Sequence, residues 1–416
     1  MLNWLYLDLN SYFASVEQQL QPKLRNKPIA IVPTMTNATC AIAASYEAKS
    51  YGIKTGTMIY EAKRLCPKLI CIQANHKNYV TYHHKILTEI DKYIPIEIVA
   101  SIDEVACKLM GKQHQEDQAR KLALTIKKGI QKNIGEYIRC SIGIAPNRFL
   151  AKTASNLEKP NGLQVLYSED IPKRIKHFKL SDLTGIGKAM ENRLIKSGIL
   201  SIEELYEISP KHMRKIWGNV QGEKFWYMLR GIEIADIKTT RKTIGHSHVL
   251  EPKWRPRKLA EQVMHRLLLK AASRLRRMKY YSSKLSLSLR TEEGIKLGGH
   301  KKFYRTCNNK KLLEEAIKIW NDLNQQKKIR KIKKINITLY NLQKKSDIQP
   351  ELFDKINQNN IFYTKRFESL SNVMDIINSR FGRDSITQGS LPKNIKSFSG
   401  TRIAFTRIPE KQEFHE

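Results

Sequence analysis

The chain has 416 residues, which is long enough for several domains that each have their own core. Its 74 Lys and Arg residues exceed its 39 Asp and Glu residues, and the net charge of +35 indicates a polyanionic partner, first of all nucleic acid. Six scattered cysteines without a CxxC pair argue against a zinc site, and the apolar runs suit neither a signal peptide nor a membrane span, so we expect a cytoplasmic protein.

The first predicted element is a buried strand at residues 4–7, which runs directly into Asp8. A helix follows, with Asn10 or Ser11 as the residue that caps its start. The amide groups at such a helix start suit phosphates. Two rings, Tyr12 and Phe13, follow beside Asp8, and we expect core packing to account for one ring more readily than for both.

Residues 44–52 (Ala-Ser-Tyr-Glu-Ala-Lys-Ser-Tyr-Gly) predict a short helix that places Tyr46 and Lys49 on one face, because the two are three residues apart. A phenol and an ammonium on one face can hold a triphosphate, the first as a hydrogen-bond donor and the second as a point charge. The spacing alone is equally compatible with an ordinary surface pair.

Residues 101–104 (Ser-Ile-Asp-Glu) follow an apolar run that we interpret as a strand over residues 94–100. The adjacent carboxylates Asp103 and Glu104 are costly to bury unless a cation neutralises them. Magnesium prefers such hard oxygen ligands, together with substrate phosphates. The pair alone is also compatible with a solvated turn, but Asp8 at the end of the first strand offers a third carboxylate. The three together predict a two-metal site.

Helices and strands alternate around these carboxylates, with further helices predicted over residues 86–92 and 119–131 and a strand over residues 139–144. This pattern fits a ferredoxin-like α+β domain. Residues 140–162 then combine small residues, which permit close approach of a ligand, with Lys159, which precedes a turn and can reach a phosphate.

The sequence resembles the Y-family (translesion) DNA polymerases of the DinB and UmuC kind. The resemblance rests on four blocks in the family's order and spacing, namely residues 8–17, 46–49, 101–104 and 141–162. It implies addition of deoxynucleotides (dNTPs) to the primer end of a primer-template DNA, as damage-tolerant synthesis without proofreading in the setting of SOS mutagenesis. It also implies two Mg²⁺ ions, held by Asp8, Asp103, Glu104 and the carbonyl of Leu9.

For the incoming nucleotide, the resemblance implies that Tyr46, Lys49 and Lys159 clamp the triphosphate. The family usually has arginine where Lys49 stands, and lysine lacks the bidentate fork. Arg148 stands where lysine is common. The resemblance also implies that the ring of Phe13, five residues after Asp8, lies against the sugar and leaves no room for a 2′-hydroxyl, with Tyr12 as the second candidate.

Residues 183–187 (Leu-Thr-Gly-Ile-Gly) are similar to a helix-hairpin-helix, in which Gly185 and Gly187 let amide groups point at a DNA phosphate and Lys188 adds charge. Residues 241–345 hold 29 Lys and Arg against 7 Asp and Glu. Alternating strands near residues 285–289 and 335–339, with helices over residues 260–277 and 312–323, predict a sheet with a basic, wet face. So large a surplus of positive charge would repel itself without a polyanionic partner. It therefore favours DNA contact over a basic face that is only solvated.

The resemblance therefore implies a multidomain right-hand polymerase. Its predicted parts are a ferredoxin-like palm (residues 1–22 and 74–165), small fingers (23–73), a helix-hairpin-helix thumb (166–237), an α/β little finger (241–345) and a tail (346–416). The tail contains a predicted helix over residues 367–380 and residues 349–353 (Gln-Pro-Glu-Leu-Phe), which resemble a bacterial clamp-binding peptide. Gln349, Leu352 and Phe353 are its predicted contacts with a sliding clamp, although proline replaces the usual second-position leucine.

Three functions remain to be weighed from the sequence. A polymerase accounts for all of the motifs, whereas a two-metal nuclease uses the same carboxylates but has no need of a triphosphate clamp. A non-catalytic DNA-binding scaffold in a mutasome-type complex is expected to have lost metal carboxylates, and here all three are present. We expect a monomer, with a regulatory subunit as a possible partner.

Overall fold

The computed structural model describes residues 1–235, 240–326, 330–347, 358–382, 384–388 and 408. These residues form two compact units, and residues 1–235 belong to the first unit while residues 240–388 belong to the second. In the part of the chain that the structure describes, no helix is both long enough and apolar enough to cross a membrane.

The strands of the first unit are, in chain order, β1 (Trp4–Leu9), β2 (Ile29–Val32), β3 (Ala43–Ala44), β4 (Ile70–Gln73), β5 (Ile98–Val99), β6 (Glu104–Lys108), β7 (Cys140–Ala145) and β8 (Leu163–Val165). Its helices are α1 (Tyr12–Leu20), α2 (Tyr46–Lys49), α3 (Ile59–Leu65), α4 (His76–Asp91), α5 (Glu116–Asn133), α6 (Arg148–Leu157), α7 (Lys188–Lys196), α8 (Ile202–Glu207), α9 (Pro210–Trp217) and α10 (Val220–Leu229).

The central sheet of the first unit has the order β5-β6-β1-β7-β8, so β1 lies in the middle with an antiparallel partner on each side. Its apolar residues are buried on both faces, which explains the nearly continuous hydrophobic run at the start of the chain. Helix α6 packs closely on β7 because Gly143 has no side chain. A Cβ atom there would lie 2.0 Å from the carbonyl oxygen of Ala151.

A second, smaller sheet in the first unit has the order β3-β2-β4 and its own apolar cluster with α2 and α3. Residues 29–73, which form it, are inserted between the first strand and the rest of the central sheet. Helices α7 to α10 follow the central sheet in the chain, and their apolar residues share one buried cluster with α6. These elements confirm the predicted α+β architecture with a ferredoxin-like palm.

The second unit contains four strands and three helices within its described residues. They are β9 (Thr243–Val249), β10 (Tyr280–Thr291), β11 (Lys296–Thr306), β12 (Ile332–Lys344), α11 (Arg257–Arg277), α12 (Asn309–Gln326) and α13 (Gln358–Phe381). The sheet is antiparallel throughout, with the order β11-β10-β12-β9. Helices α11 and α12 share one apolar cluster with the sheet.

Helix α13 is anchored to the rest of the second unit by ionic contacts. The Arg276 guanidinium makes two contacts of 2.6 and 2.8 Å with the Asp375 carboxylate, and Tyr281 donates a hydrogen bond to Glu368. Arg276 is buried, so its pairing removes the large cost of a lone buried charge. The predicted helix over residues 367–380 is therefore part of this unit.

Several local predictions need correction. The strand predicted over residues 94–100 is only two residues long in the structure (β5). Pro95, within the predicted range, has no amide hydrogen to donate to a sheet. Helix α1 does begin after Ser11, but no side chain caps it, and Ser11 adopts a left-handed backbone with φ of +48°. Asn10 uses its side chain elsewhere, on Ser141 and Asn161. Helix α4 begins ten residues before the predicted helix at residue 86.

Candidate active site

The three predicted carboxylates lie at one end of β1 and β6. Asp8 and Glu104 are direct partners in the antiparallel register of these strands. Asp103 precedes Glu104, and its carbonyl oxygen accepts a hydrogen bond of 2.8 Å from the amide of Leu9. The sheet register therefore brings together residues that are almost a hundred positions apart in the sequence.

The turn that carries Asp103 is fixed from both sides. The Ser101 hydroxyl donates a hydrogen bond of 2.5 Å to the Asp103 carboxylate. Nδ1 of the buried His83 lies 2.8 Å from the carbonyl oxygen of Ile102. Burial lowers the pKa of His83 to about 4, so the ring is neutral near pH 7 and Nδ1 carries the hydrogen that it donates. The turn is thus held in place without an added charge.

Two lysines pair with two of the three carboxylates. The ammonium of Lys159 lies 2.6 Å from Asp8, and that of Lys152 lies 2.8 Å from both oxygens of Glu104. Tyr6 adds a hydrogen bond of 2.9 Å to Glu104. Lys152 and Tyr6 were not predicted. The signal for Lys152 was present, since a cation in the middle of the mostly buried helix Arg148–Leu157 requires a partner.

The carboxylates lie in a poorly solvated environment. Burial raises the pKa of Asp8, against the opposing effect of Lys159, and burial likewise raises the pKa of Asp103. A group whose charged form is disfavoured in this way is stabilised by a nearby cation. The site therefore has an electrostatic demand for positive charge beyond that supplied by its lysines.

The donor set suits a hard divalent cation, because it consists of carboxylate and backbone oxygens at one sheet edge. Within the described residues, however, no three His, Cys, Asp or Glu side chains are arranged as a ready metal cluster. The reason is visible in the contacts, since Asp8 and Glu104 turn towards different lysines and Asp103 turns towards Ser101. Metal binding would require the lysines to leave their carboxylates.

Helix α2 presents the predicted phosphate-binding pair. The ammonium of Lys49 lies 4.3 Å from the centre of the Tyr46 ring. Burial lowers the pKa of Lys49 and the charge of Lys159 lowers it further, while burial and then the charge of Asp8 raise the pKa of Tyr46 to about 12. The charges of Asp8 and Lys159 therefore act on this pair, and Lys159 itself contacts Asp8.

The structure distinguishes the two aromatic candidates after β1. Tyr12 is buried, and its hydroxyl donates a hydrogen bond of 2.7 Å to the carbonyl oxygen of Tyr79. Phe13 is half-buried and stacks on the Tyr79 ring, with 4.3 Å between ring centres and 13° between planes. Tyr12 is therefore a core anchor, whereas the face of the Phe13 ring is held in a fixed orientation beside the site.

The predicted hairpin of residues 183–187 precedes α7. Gly185 has a φ of +96°, a left-handed conformation that favours glycine, and Gly187 is the residue just before the helix. A Cβ atom added at Gly187 would meet no atom within 4 Å, so space outside this loop is open. Lys188 is exposed as the first residue of the helix. The loop thus presents open backbone and one cation to solvent.

The sheet of the second unit has one apolar face and one polar face. Along β10 and β12, Leu285, Leu287, Ile335 and Ile337 are buried on the side of the helices. The other face carries two basic rows set by the strand register. One row contains Lys296, Arg290 and Lys334, and the other contains Lys302 and Lys284 beside Tyr340.

Between the two basic rows lie two rows of small or neutral residues. They are Gly298, Ser288, Asn336 and Ser247 in one row, and His300, Ser286, Thr338 and Gly245 in the other. Arg290 lies six positions after Lys284 along β10, so the basic rows are about 20 Å apart at ~3.3 Å per residue. On this face of the sheet, these five cations therefore form two parallel rows that are separated by neutral residues.

The predicted clamp peptide lies outside the described residues, and so do its contacts Gln349, Leu352 and Phe353. All other predicted site residues lie within the described part of the chain.

Family comparisons cover most of the chain. The impB/mucB/samB family matches residues 7–156, and its C-terminal domain matches residues 241–352. The thumb domain of DNA polymerase iota matches residues 181–233, which include the predicted hairpin.

The curated relatives of this chain include proteins named DNA polymerase IV or DNA polymerase IV 1. DNA polymerase IV of Moorella thermoacetica is 34% identical over 300 residues, which are 71% of this chain and 74% of that protein. DNA polymerase IV 1 of Bacillus subtilis is 27% identical over 402 residues, which are 94% of each chain.

Solved structures share the fold. A Y-family DNA polymerase chimera of Dbh and Dpo4 has a TM-score of 0.70 at 22% identity, and the match covers 82% of this chain and 99% of the chimera. DinB from Sulfolobus solfataricus has a TM-score of 0.51 at 24% identity, with 81% of this chain and 98% of that chain covered. These matches confirm the predicted α+β multidomain fold.

Proposed function

The chain belongs to the impB/mucB/samB family of Y-family DNA polymerases, and from this premise we propose that the edge of its central sheet holds the catalytic centre. The protein is a DNA-directed DNA polymerase of the translesion type. The observation that carries the proposal is the meeting of Asp8 and Glu104 as cross-strand partners, with Asp103 in the adjoining turn.

In the proposed mechanism, the primer 3′-hydroxyl attacks the α-phosphate of a dNTP and pyrophosphate leaves. Asp8 and Asp103 would hold two Mg²⁺ ions, with Glu104 as a further ligand towards the primer and the carbonyl of Leu9 as one towards the nucleotide. When bound, these ions lower the pKa of the attacking hydroxyl and neutralise developing charge. The raised pKa values of Asp8 and Asp103 support this assignment, because a divalent cation relieves the cost of their burial.

Tyr46, Lys49 and Lys159 form the proposed triphosphate site. Lys159 contacts Asp8 in the structure, and it would exchange this carboxylate for a phosphate when the metals and nucleotide bind. Burial, and after it repulsion from the charge of Lys159, lowers the pKa of Lys49, so the site disfavours the charged form of Lys49 when no anion is bound. A triphosphate removes this conflict, and so the empty clamp favours its ligand.

Phe13 is the proposed barrier against ribonucleotides. Its stacking on Tyr79 fixes the ring, and a fixed flat ring rejects an added hydroxyl more sharply than a mobile one. Tyr12 stabilises the same region, because its hydroxyl donates a hydrogen bond to the backbone carbonyl of Tyr79. The proposed specificity therefore lies in one ring and in the scaffold that holds it.

The proposed DNA contacts lie in both units. The loop at Gly185 and Gly187, with Lys188, would contact a phosphate through its amides. In the second unit, the two basic rows would contact phosphates on either side of the neutral strip. Phosphate contacts position a duplex without reading its sequence, as a polymerase requires.

We further propose that residues 349–353 bind a sliding clamp, with Gln349, Leu352 and Phe353 as the contacts. The support is the sequence alone, since an apolar Leu-Phe pair follows a basic domain in the chain. Tethering to a ring on DNA would raise the effective concentration of the enzyme at the primer end.

Primer extension with single dNTPs tests the proposed function against its rivals. A polymerase adds only the nucleotide that pairs with the template, a nuclease shortens the primer, and a scaffold leaves it unchanged. We expect template-directed addition that depends on a divalent cation. Primer shortening, or DNA binding without addition, would reject the proposal.

A further inference from the structure

The loop that carries Lys159 is tightly constrained. It joins α6 to β8, and Asn161 within it has a left-handed φ of +60°. Gly162 has no space for a side chain, because a Cβ atom there would lie 2.1 Å from the carbonyl oxygen of Glu158. The backbone path after Lys159 is therefore specific and needs partners to hold it.

Two side chains bind the amides of this loop. Asn10, two residues after Asp8, accepts a hydrogen bond of 2.7 Å from the amide of Asn161. Ser141 accepts one of 3.2 Å from the amide of Gly162 and another of 3.1 Å from the Asn10 side chain. The loop is thus linked to the strand that carries Asp8.

A third side chain binds the carbonyls of the same loop. The ammonium of Lys127, on α5, donates hydrogen bonds of 2.5 Å to the carbonyl oxygen of Asn161 and 3.0 Å to that of Gly162. Hydrogen bonds from a charged donor are stronger than neutral ones. Lys127 belongs to none of the motifs discussed above, and its pKa is lowered by burial, so the protein places a cation there at a cost.

We propose that Lys127 is a positioning residue for the incoming nucleotide, which acts through the carbonyls of Asn161 and Gly162 on Lys159. The inference rests on the proposed role of Lys159 as a triphosphate ligand. Lys127 itself touches neither the carboxylates nor the nucleotide. It fixes the backbone from which Lys159 extends. The loop is therefore already ordered when the Lys159 ammonium binds the phosphates, and binding does not have to order it first.

This role predicts a specific kinetic signature. Lys159 would bind the triphosphate in the ground state and in the transition state alike. Loss of such uniform binding raises KM and leaves kcat unchanged. A general structural defect would instead lower the active fraction and hence kcat.

The experiment measures single-dNTP incorporation by the full chain with Lys127→Met, which keeps the length of the apolar stem. The matched control is Lys128→Met, at the exposed neighbouring position on the same helix. We expect Lys127→Met to raise KM for the dNTP roughly fivefold. The variant loses two hydrogen bonds from a charged donor, and their loss affects the nucleotide only through the loop that carries Lys159. We expect kcat and DNA affinity to stay within about twofold of the wild type, and Lys128→Met to change neither constant.

Lys127→Arg supplies the rescue, because a guanidinium can donate to both carbonyls, and we expect it to restore most of the nucleotide affinity. If Lys127→Met fails to fold, Lys127→Gln, which keeps an amide donor, is measured in the same way. An unchanged KM in the folded variant, or a fall in kcat alone, would overturn the proposal.

A double-substitution cycle with Lys159→Ala separates this inference from the proposed function. If Lys127 acts through Lys159, adding Lys127→Met to Lys159→Ala causes no further rise in KM. If the two substitutions each raise KM and the factors multiply in the double variant, the inference is overturned and the role of Lys159 stays intact. An unchanged KM for Lys159→Ala alone would reject the role of Lys159 in the proposed function, and the inference with it.

Discussion

Asp8 and Glu104 are direct partners across the antiparallel strands β1 and β6, so the fold sets two carboxylates side by side. Like charges in this position destabilise a sheet. Lys159 binds Asp8 and Lys152 binds Glu104, and each ammonium offsets part of the repulsion. The proposed metal ions would take over this task and release Lys159 for the nucleotide. At the proposed catalytic site, the fold thus tolerates a repulsion between carboxylates that bound metal ions would relieve.

The first prediction concerns sugar selection. Phe13→Ala removes the ring that stacks on Tyr79, so a 2′-hydroxyl gains space. We expect the preference for a dNTP over the matching ribonucleotide, measured as a ratio of kcat/KM values, to fall at least about tenfold. Tyr12→Phe is the control, because it removes only a buried hydroxyl and should retain the preference. An unaltered ratio in Phe13→Ala would exclude Phe13 as the barrier, and Tyr12→Ala would be tested next.

The second prediction concerns pH. Burial lowers the pKa of Lys49, so its ammonium loses a proton at a lower pH than an ordinary lysine does. Because the triphosphate needs the charged form, kcat/KM for the dNTP should fall as pH rises towards the lowered pKa of the free enzyme. Lys49→Arg stays charged throughout, and we expect it to move this decline to higher pH. The same alkaline decline in both proteins would show that another group titrates.

The third prediction concerns DNA affinity. Arg290→Ala with Lys334→Ala removes two adjacent cations from one basic row of the second unit. Each lost phosphate contact reduces the slope of log K against log salt by about 0.9, so we expect the slope to decrease by about 2. Lys258→Ala, at an exposed position on α11, is the control and should leave the slope unchanged. Binding that is flat between low and moderate salt in the wild-type chain would contradict the proposed interface.

The fourth prediction concerns the proposed clamp peptide. Leu352→Ala with Phe353→Ala should leave extension on a naked primer-template unchanged, because these residues take no part in the proposed chemistry. We expect the same double substitution to abolish stimulation by a loaded clamp, since an apolar pair is needed to fill an apolar pocket. Extension by both proteins is compared with and without the clamp. Stimulation that survives would assign the contact to another segment.

The sequence was most informative where function restricts residue type. Asp8, Asp103 and Lys159 were identified as site residues, and the structure brings their side chains to one end of the central sheet. The relative positions of these side chains depend on strand register, which is set by pairing between segments that are far apart in the sequence. The ion pair of Lys152 with Glu104 depends on it too, because it forms only when α6 packs on β1 and β7.

Edge strands were the least predictable elements. Strands β9 and β11 lie at the two edges of the second sheet and were absent from the prediction. Both sequences contain glycine, and β11 also contains lysine, which strands disfavour on average, and an edge strand needs little apolar surface. The role proposed for Lys127 was invisible for a related reason. A lysine that binds two backbone carbonyls leaves no pattern in the sequence.

The central claim is that Asp103 and Glu104 hold the metal ions of a DNA polymerase, and single-turnover primer extension by Asp103→Ala and Glu104→Ala tests it most directly. Loss of several kcal/mol of transition-state stabilisation corresponds to a fall in rate of about a thousandfold. DNA affinity should remain nearly intact in the same samples, because the cations proposed to bind DNA lie elsewhere in the chain. Extension abolished with DNA binding retained is the predicted result, and near wild-type turnover by either variant would contradict the assignment.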